Sequence, residues 1–239
     1  MTKGSGHTTR TPAVLAGAAI VVVVIVALLA TAIVLIATSS NTDSPAVRSR
    51  ERSAANVTPT TASPVGEIAA LRVADAHDEG YDRDQFGDWV DADRDCQDTR
   101  AEVLALESRV SVTFSTPAAC SVATGEWIDP WSGEVTTSAR ALDVDHTVPL
   151  ANAWRSGAWA WSPERRVAFA NDLADAGHLI AIPSGENRSK SDRGPEQWRP
   201  PAITSWCAYA QLWTSIKARW DLSATPAEWK ALQEMAATC

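Results

Sequence analysis

Cysteine is scarce in this 239-residue chain: Cys96, Cys120, Cys207 and Cys239 are all there is, and no two form a C-x-x-C pair. That spacing argues against a zinc ribbon, which needs such paired thiolates. A basic excess is lacking too, since 21 Lys and Arg stand against 29 Asp and Glu, for a net charge of −8. A chain that grips nucleic acid by a broad basic face would carry the opposite balance, so any phosphate chemistry must be local and metal-assisted. No internal repeat is visible. Tyr and Phe are few (two and three), yet Trp occurs 11 times. What is present in ordinary measure is 45% hydrophobic and 21% charged residues, which excludes wholesale disorder and a polytopic membrane protein.

The charge is unevenly spread. Residues 1–66 hold five basic and two acidic side chains, whereas residues 67–239 hold 16 basic and 27 acidic ones, a net of −11. After a short tail (1–12), residues 13–37 read AVLAGAAIVVVVIVALLATAIVLIA with no charge. As a helix rising about 1.5 Å per residue this run can cross a hydrocarbon core of about 30 Å. It is apolar on every face, unlike a buried amphipathic helix, and longer than the apolar stretch of about 7–15 residues in a cleavable signal peptide. A retained transmembrane anchor is expected, with cleavage near Ala37–Ser40 as the rival. Lys3 and Arg10 before the span, and Arg48, Arg50 and Arg52 after it, leave the orientation undecided. Residues 38–66, rich in Ser, Thr and Pro, read as a flexible tether.

The even cysteine count suits two structural disulfides in an oxidising compartment. Of three possible pairings, Cys96–Cys120 and Cys207–Cys239 each close a short local loop and are favoured. The domain of residues 67–239 is therefore expected outside the cytoplasm, on the cell membrane or secreted.

Within that domain the pattern predicts an α+β class. Helical spacing runs over 67–76, 99–108, 205–220 and 225–237, the last opened by the capping box Thr225-Pro226-Ala227-Glu228. Ser162-Pro163-Glu164 marks another helix start. Residues 110–114, 121–128, 141–145 and 178–182 read as strands, and a helix opens near Ser184. Trp206, Trp213 and Trp220 recur every seven residues on one helix face, a packing stripe.

The chemistry concentrates in 141–200. Asp143-Val144-Asp145-His146-Thr147-Val148-Pro149-Leu150 closes one strand, and a second strand leads into Glu186-Asn187-Arg188-Ser189-Lys190-Ser191-Asp192. D-x-D-H-x-V-P-L followed by N-R-x-K-S-D resembles the HNH (ββα-metal, His-Me finger) nuclease motif, as in the HNH domain of RNA-guided CRISPR nucleases. It is more similar still to secreted actinobacterial proteins of the GmrSD restriction endonuclease C-terminal-domain family. Ala153–Ala158 (A-W-R-S-G-A) and Trp198–Pro200 (W-R-P) add to that likeness, which spans roughly Tyr81 to Trp220.

The resemblance implies a ββα-metal core and hydrolysis of phosphodiester bonds in DNA, or in RNA. His146 would be the general base, Asp145 and Asn187 the ligands of one divalent metal, and Arg188 and Lys190 the phosphate holders. Mg²⁺ suits oxygen ligands best, with Mn²⁺ or another transition metal as the alternative. Asp143 is expected to support the metal site or to be a plain strand end. His178 stands where related domains often have Asn; it would shape the His146 loop or become a third ligand. Asp91, Asp93, Asp95 and Glu102 fall at positions 1, 3, 5 and 12 of a Ca²⁺-loop pattern, but Cys96 replaces the turn glycine. The expected partners are nucleic acid as substrate and a membrane through 13–37, and no protein partner is identifiable. The rival function is a membrane-anchored extracellular binding or adhesion module with an inactive HNH-like fold.

Overall fold

The computed structural model describes residues 64–239. The tail, anchor and most of the tether (1–63) lie outside the described residues. Among those described, no helix is long and apolar enough to cross a membrane.

The class is α+β, built on two small antiparallel sheets. Helix α1 (Pro64–Ala70) is followed by a largely irregular acidic segment, broken by a 3-10 turn at Arg83–Phe86, and by α2 (Thr99–Glu107). Asp98 caps α2 by accepting from the Ala101 amide at 2.9 Å. Strands β1 (Thr113–Phe114), β2 (Val122–Ile128) and β3 (Val135–Ser138) form the first sheet in that order. The expected strand over 110–114 shrinks to two residues, and β3 follows the Asp129–Gly133 turn, where the sequence shows no alternating run.

The second sheet pairs β4 (Leu142–His146) with β5 (Leu179–Pro183), Asp145 facing Ile180 and His146 facing Leu179. Between them run α3 (Leu150–Arg155) and α4 (Pro163–Ala170), the latter capped by Ser162 and opened by Pro163. Helix α5 (Ser184–Lys190) leaves β5 directly, so β4, β5 and α5 make a ββα unit. Two longer helices, α6 (Trp206–Arg219) and α7 (Pro226–Ala236), close the chain, and the capping box at Thr225 and Glu228 is complete in both directions.

Strand period 2 divides the side chains of β4. Leu142 and Val144 join a core shared with Val103 and Leu104 of α2 and Trp127 of β2. The larger core gathers Ile180 and Ile182 of β5 with Phe169, Tyr209, Trp213, Ile216 and Leu232. Trp213 is fully buried and Trp206 and Trp220 pack against the same core, so the heptad of tryptophans is a packing stripe. Trp213 also donates to the buried Glu228, which pairs with the buried Lys217. Truncating such a buried Trp to Ala costs about 3–5 kcal/mol. Disulfides join Cys96 to Cys120 and Cys207 to Cys239, the favoured pairing. The second ties the start of α6 to the chain end.

Candidate active site

His146, the last residue of β4, is buried, and its Nε2 lies 2.9 Å from the Ala170 carbonyl at the end of α4. Burial, with His178 nearby, pushes its pKa down to about 3, so the ring is neutral at physiological pH. A carbonyl only accepts, so Nε2 carries the hydrogen and Nδ1 keeps a lone pair. Trp89 lies flat on the ring, and Phe169 is nearly parallel to it at a centroid distance of 6.4 Å.

His178 repeats the arrangement one residue earlier, its Nε2 sitting 2.7 Å from the Phe169 carbonyl. The two imidazoles thus occupy consecutive carbonyls at the helix C-terminus, which has no intrahelical donors for them. The His178 carbonyl accepts from the Thr147 amide at 3.0 Å, extending the β4–β5 ladder into the loop after His146. Its Nδ1 is buried without a partner, and burial lowers its pKa. His178 does not line the cavity at His146; it braces the loop from behind.

That cavity, about 330 Å³, is lined by His146 together with Asp145, Asn187 and Arg188. The bend at the end of β4 therefore brings the two neighbours onto one space even though strand geometry sends them to opposite faces. Asp143, on the same strand face as Asp145, accepts from Ser184 Oγ at 2.8 Å and Asn187 Nδ2 at 3.0 Å. With its amide nitrogen held by Asp143, Asn187 keeps its carbonyl oxygen free of hydrogen bonds among the described residues.

Lys190 differs from expectation. Its side chain is fully buried, donating to Asp145 Oδ1 at 3.1 Å and to the His146 carbonyl at 2.9 Å. Three residues beyond Asn187, it falls on the strand-facing side of α5 and cannot reach a phosphate in the cavity. Arg188, next to Asn187, is exposed. Burial raises the pKa of Asp145, and Lys190 opposes that rise. Asp145 Oδ2 is also 2.8 Å from the ammonium, so the pair is a buried ion pair. The Asp145 carboxylate, paired with Lys190, and the free Asn187 amide carbonyl line one cavity and are hard oxygen donors of the kind a divalent cation takes. The residues present fit such an ion.

Tyr81 and Arg83, from the acidic segment, line the same cavity and were not expected there. Arg83 is exposed and also lines the smaller space beside Trp89 and His146. The only signal for them was basic and aromatic side chains set within an acidic run. Asn171 ties this segment down: it accepts from the Val90 amide at 2.9 Å and Thr99 Oγ1 at 2.7 Å, and donates to the Asp88 carbonyl at 3.2 Å. Asp172 accepts from Trp220 Nε1 at 3.2 Å and pairs with Arg219. These contacts supply the reason, absent from the sequence, for two polar residues at the end of α4.

The acidic loop brings carboxylate oxygens of Asp91, Asp93 and Asp95 within 4.8 Å of one another. Cys96 adopts φ 74°, the left-handed backbone for which a glycine would be chosen. The carboxylates are engaged by the loop itself, Asp91 accepting from the amides of Arg94, Asp95 and Cys96. Glu102 feels the cluster, its pKa raised by partial burial and then by these aspartates.

A family model for GmrSD restriction endonucleases, C-terminal domain, matches residues 98–235. A protein of Arthroderma benhamiae described as an uncharacterized secreted protein is 41% identical over 161 residues, covering 67% of this chain and 76% of the relative. No solved structure matches. The match takes in the whole ββα unit and the helices packed around it, and on that ground the chain belongs to the GmrSD restriction endonuclease C-terminal-domain family.

Proposed function

We propose that the domain is a metal-dependent endonuclease of the HNH class that hydrolyses phosphodiester bonds in DNA, or in RNA. One observation carries the reading: a neutral His146, its Nε2 committed to the Ala170 carbonyl, opens on a cavity shared with Asp145, Asn187, Arg83 and Arg188. With Nε2 committed to a carbonyl, Nδ1 is the nitrogen left to accept a proton.

In this reading His146 Nδ1 removes a proton from water as the water oxygen bonds to phosphorus. The bond from phosphorus to the 3′ oxygen breaks in line, and that oxygen takes a proton from solvent. The products are a 5′-phosphate and a 3′-hydroxyl. A divalent cation, Mg²⁺ by donor type, would be held by Asp145 and Asn187 and would supply charge neutralisation at the departing oxygen. Asp143 orients Asn187. Arg188 and Arg83 hold the phosphate from the rim, the place sequence reading gave to Lys190. Lys190 instead fixes Asp145 against the end of β4.

Family membership, two disulfides and a relative described as secreted support a nuclease that works outside the cytoplasm. Residues 13–37 would serve as its anchor or export signal. The net charge of −11 over 67–239 favours the rival binding module, because acidic walls repel a polyanion.

Plasmid nicking by the full chain with Mg²⁺ or Mn²⁺, with chelator, and with His146→Ala separates the two. Loss of a general base is expected to cost about 10²–10⁴-fold in rate. Nicking that survives His146→Ala at the wild-type rate eliminates this mechanism.

A further inference from the structure

A cavity of about 560 Å³ contains none of the residues assigned above to catalysis. Its walls are basic and aromatic, in a domain that is acidic overall. Arg72 is exposed, and its guanidinium has no hydrogen-bond or ion-pair partner among the described residues. Arg165 stacks over the Trp161 ring at 4.6 Å and donates to the Trp220 carbonyl, with no carboxylate in range of an ion pair. His77 is stacked on Trp159 at 4.5 Å, while Trp159 remains 48% exposed. Gly157, at φ 138°, forms part of the wall where a side chain would be strained. The acids on this surface are Asp75 and Asp221.

The cleft is linked to the catalytic cavity through one ion pair. Arg155 lines the cleft and donates to both the carboxylate and the carbonyl of Asp192, at 2.9 and 2.8 Å. Asp192 in turn lines the cavity at His146. One ion pair is the shared wall.

Unpaired guanidinium groups and a half-exposed indole are what a nucleic-acid strand needs: charge for phosphates, a flat face for a base. We propose that this cleft binds a single-stranded nucleic-acid segment running away from the scissile phosphate. Arg72 and Arg165 take phosphates and Trp159 takes a base face. A duplex keeps its base faces stacked inside, so Trp159 selects a single strand. This inference rests on the endonuclease reading for its direction relative to the scissile bond.

The test uses the full chain carrying His146→Ala, so that the ligand is bound and not cut, and a fluorescein-labelled 20-nucleotide single strand followed by anisotropy across a salt series. Adding Arg72→Ala and Arg165→Ala is expected to raise Kd about tenfold or more. It should also flatten the log K against log salt slope by about 1.4, at about 0.7 per phosphate contact. Trp159→Ala is expected to raise Kd at least about fivefold with the slope unchanged. With His146 intact, all three substitutions should leave hydrolysis of bis(4-nitrophenyl) phosphate at the wild-type rate, because that diester is too small to reach the cleft.

An unchanged Kd and slope, or an equal loss on the small diester, overturns the cleft assignment while leaving the nuclease intact. Duplex bound as tightly as single strand, with the same dependence on Trp159, overturns the single-strand assignment. Strand binding that is lost with the arginines, in a wild-type chain that cleaves nothing, supports the cleft and defeats the endonuclease reading instead.

Discussion

Trp89 lies flat on His146, their ring centroids 5.4 Å apart and their planes within 8°. The indole comes from the acidic segment, held in place by Asn171 at the end of α4, and it covers one face of the proposed general base. Aromatic stacking of this kind adds about 0.5–1.5 kcal/mol beyond the area it buries. Its larger effect is dielectric: with one imidazole face closed to water, the charged form is disfavoured.

Trp89→Ala should therefore move the pKa of His146 upward from about 3 toward its ordinary 6.5, and lower stability by about 2–3 kcal/mol. Histidine nitrogen shifts followed by NMR across pH would measure the first, and urea unfolding the second. Nuclease activity of the variant should gain an acid limb that the wild type lacks, and Trp89→Phe should restore most of the wild-type profile. An unmoved His146 titration would mean that Trp89 is a lid of no electrostatic consequence.

The ββα unit was readable because strand alternation and the Pro183-Ser184 break are local signals, and both cystine loops were readable because they are short. The role of Lys190 was not. A lysine beside an arginine on a short helix looks like surface charge, and only the packing of α5 onto β4 shows that its ammonium replaces solvent for a buried aspartate. Trp89 and Arg83 were hidden for a different reason. They sit in a segment without periodicity, more than 50 residues before His146, and long-range contacts from Asn171, Arg166 and Trp154 decide where that segment lies. The strand β3 was missed because its pairing with β2 is set by the turn between them and not by a hydrophobic pattern of its own.

The Lys190–Asp145 pair makes a second prediction, about stability against chemistry. Removing one partner of a buried ion pair leaves an uncompensated charge and costs about 3–5 kcal/mol, whereas replacing both by uncharged groups is often near neutral. Lys190→Met should cost this much in urea unfolding. The double variant Lys190→Met with Asp145→Asn should recover most of it, yet remain inactive in plasmid nicking, because the proposed carboxylate ligand is gone. A phosphate-holding lysine would behave differently, weakening substrate binding with little change in the unfolding midpoint.

The two buried histidines set how stability responds to acid. Both have pKa values lowered by burial from 6.5, His146 to about 3. In the unfolded chain each imidazole takes up a proton as pH falls below 6.5, while in the fold burial keeps His146 unprotonated to about pH 3 and shifts His178 in the same direction. The unfolded state then holds more protons, so stability rises with pH across this window. The His146 contribution is complete above about pH 6.5 and declines toward pH 3 at a limiting slope of about 1.4 kcal/mol per pH unit, and His178 contributes with the same sign. Asp145, raised by burial, acts with the opposite sign, and it is common to wild type and variant in the comparison that follows. His178→Asn removes one titrating ring but keeps an N–H donor for the Phe169 carbonyl. Between pH 7 and pH 5 the unfolding free energy of this variant should fall by less than that of the wild type. Equal declines in the two proteins would mean that His178 takes up its proton at the same pH in the fold as in the unfolded chain.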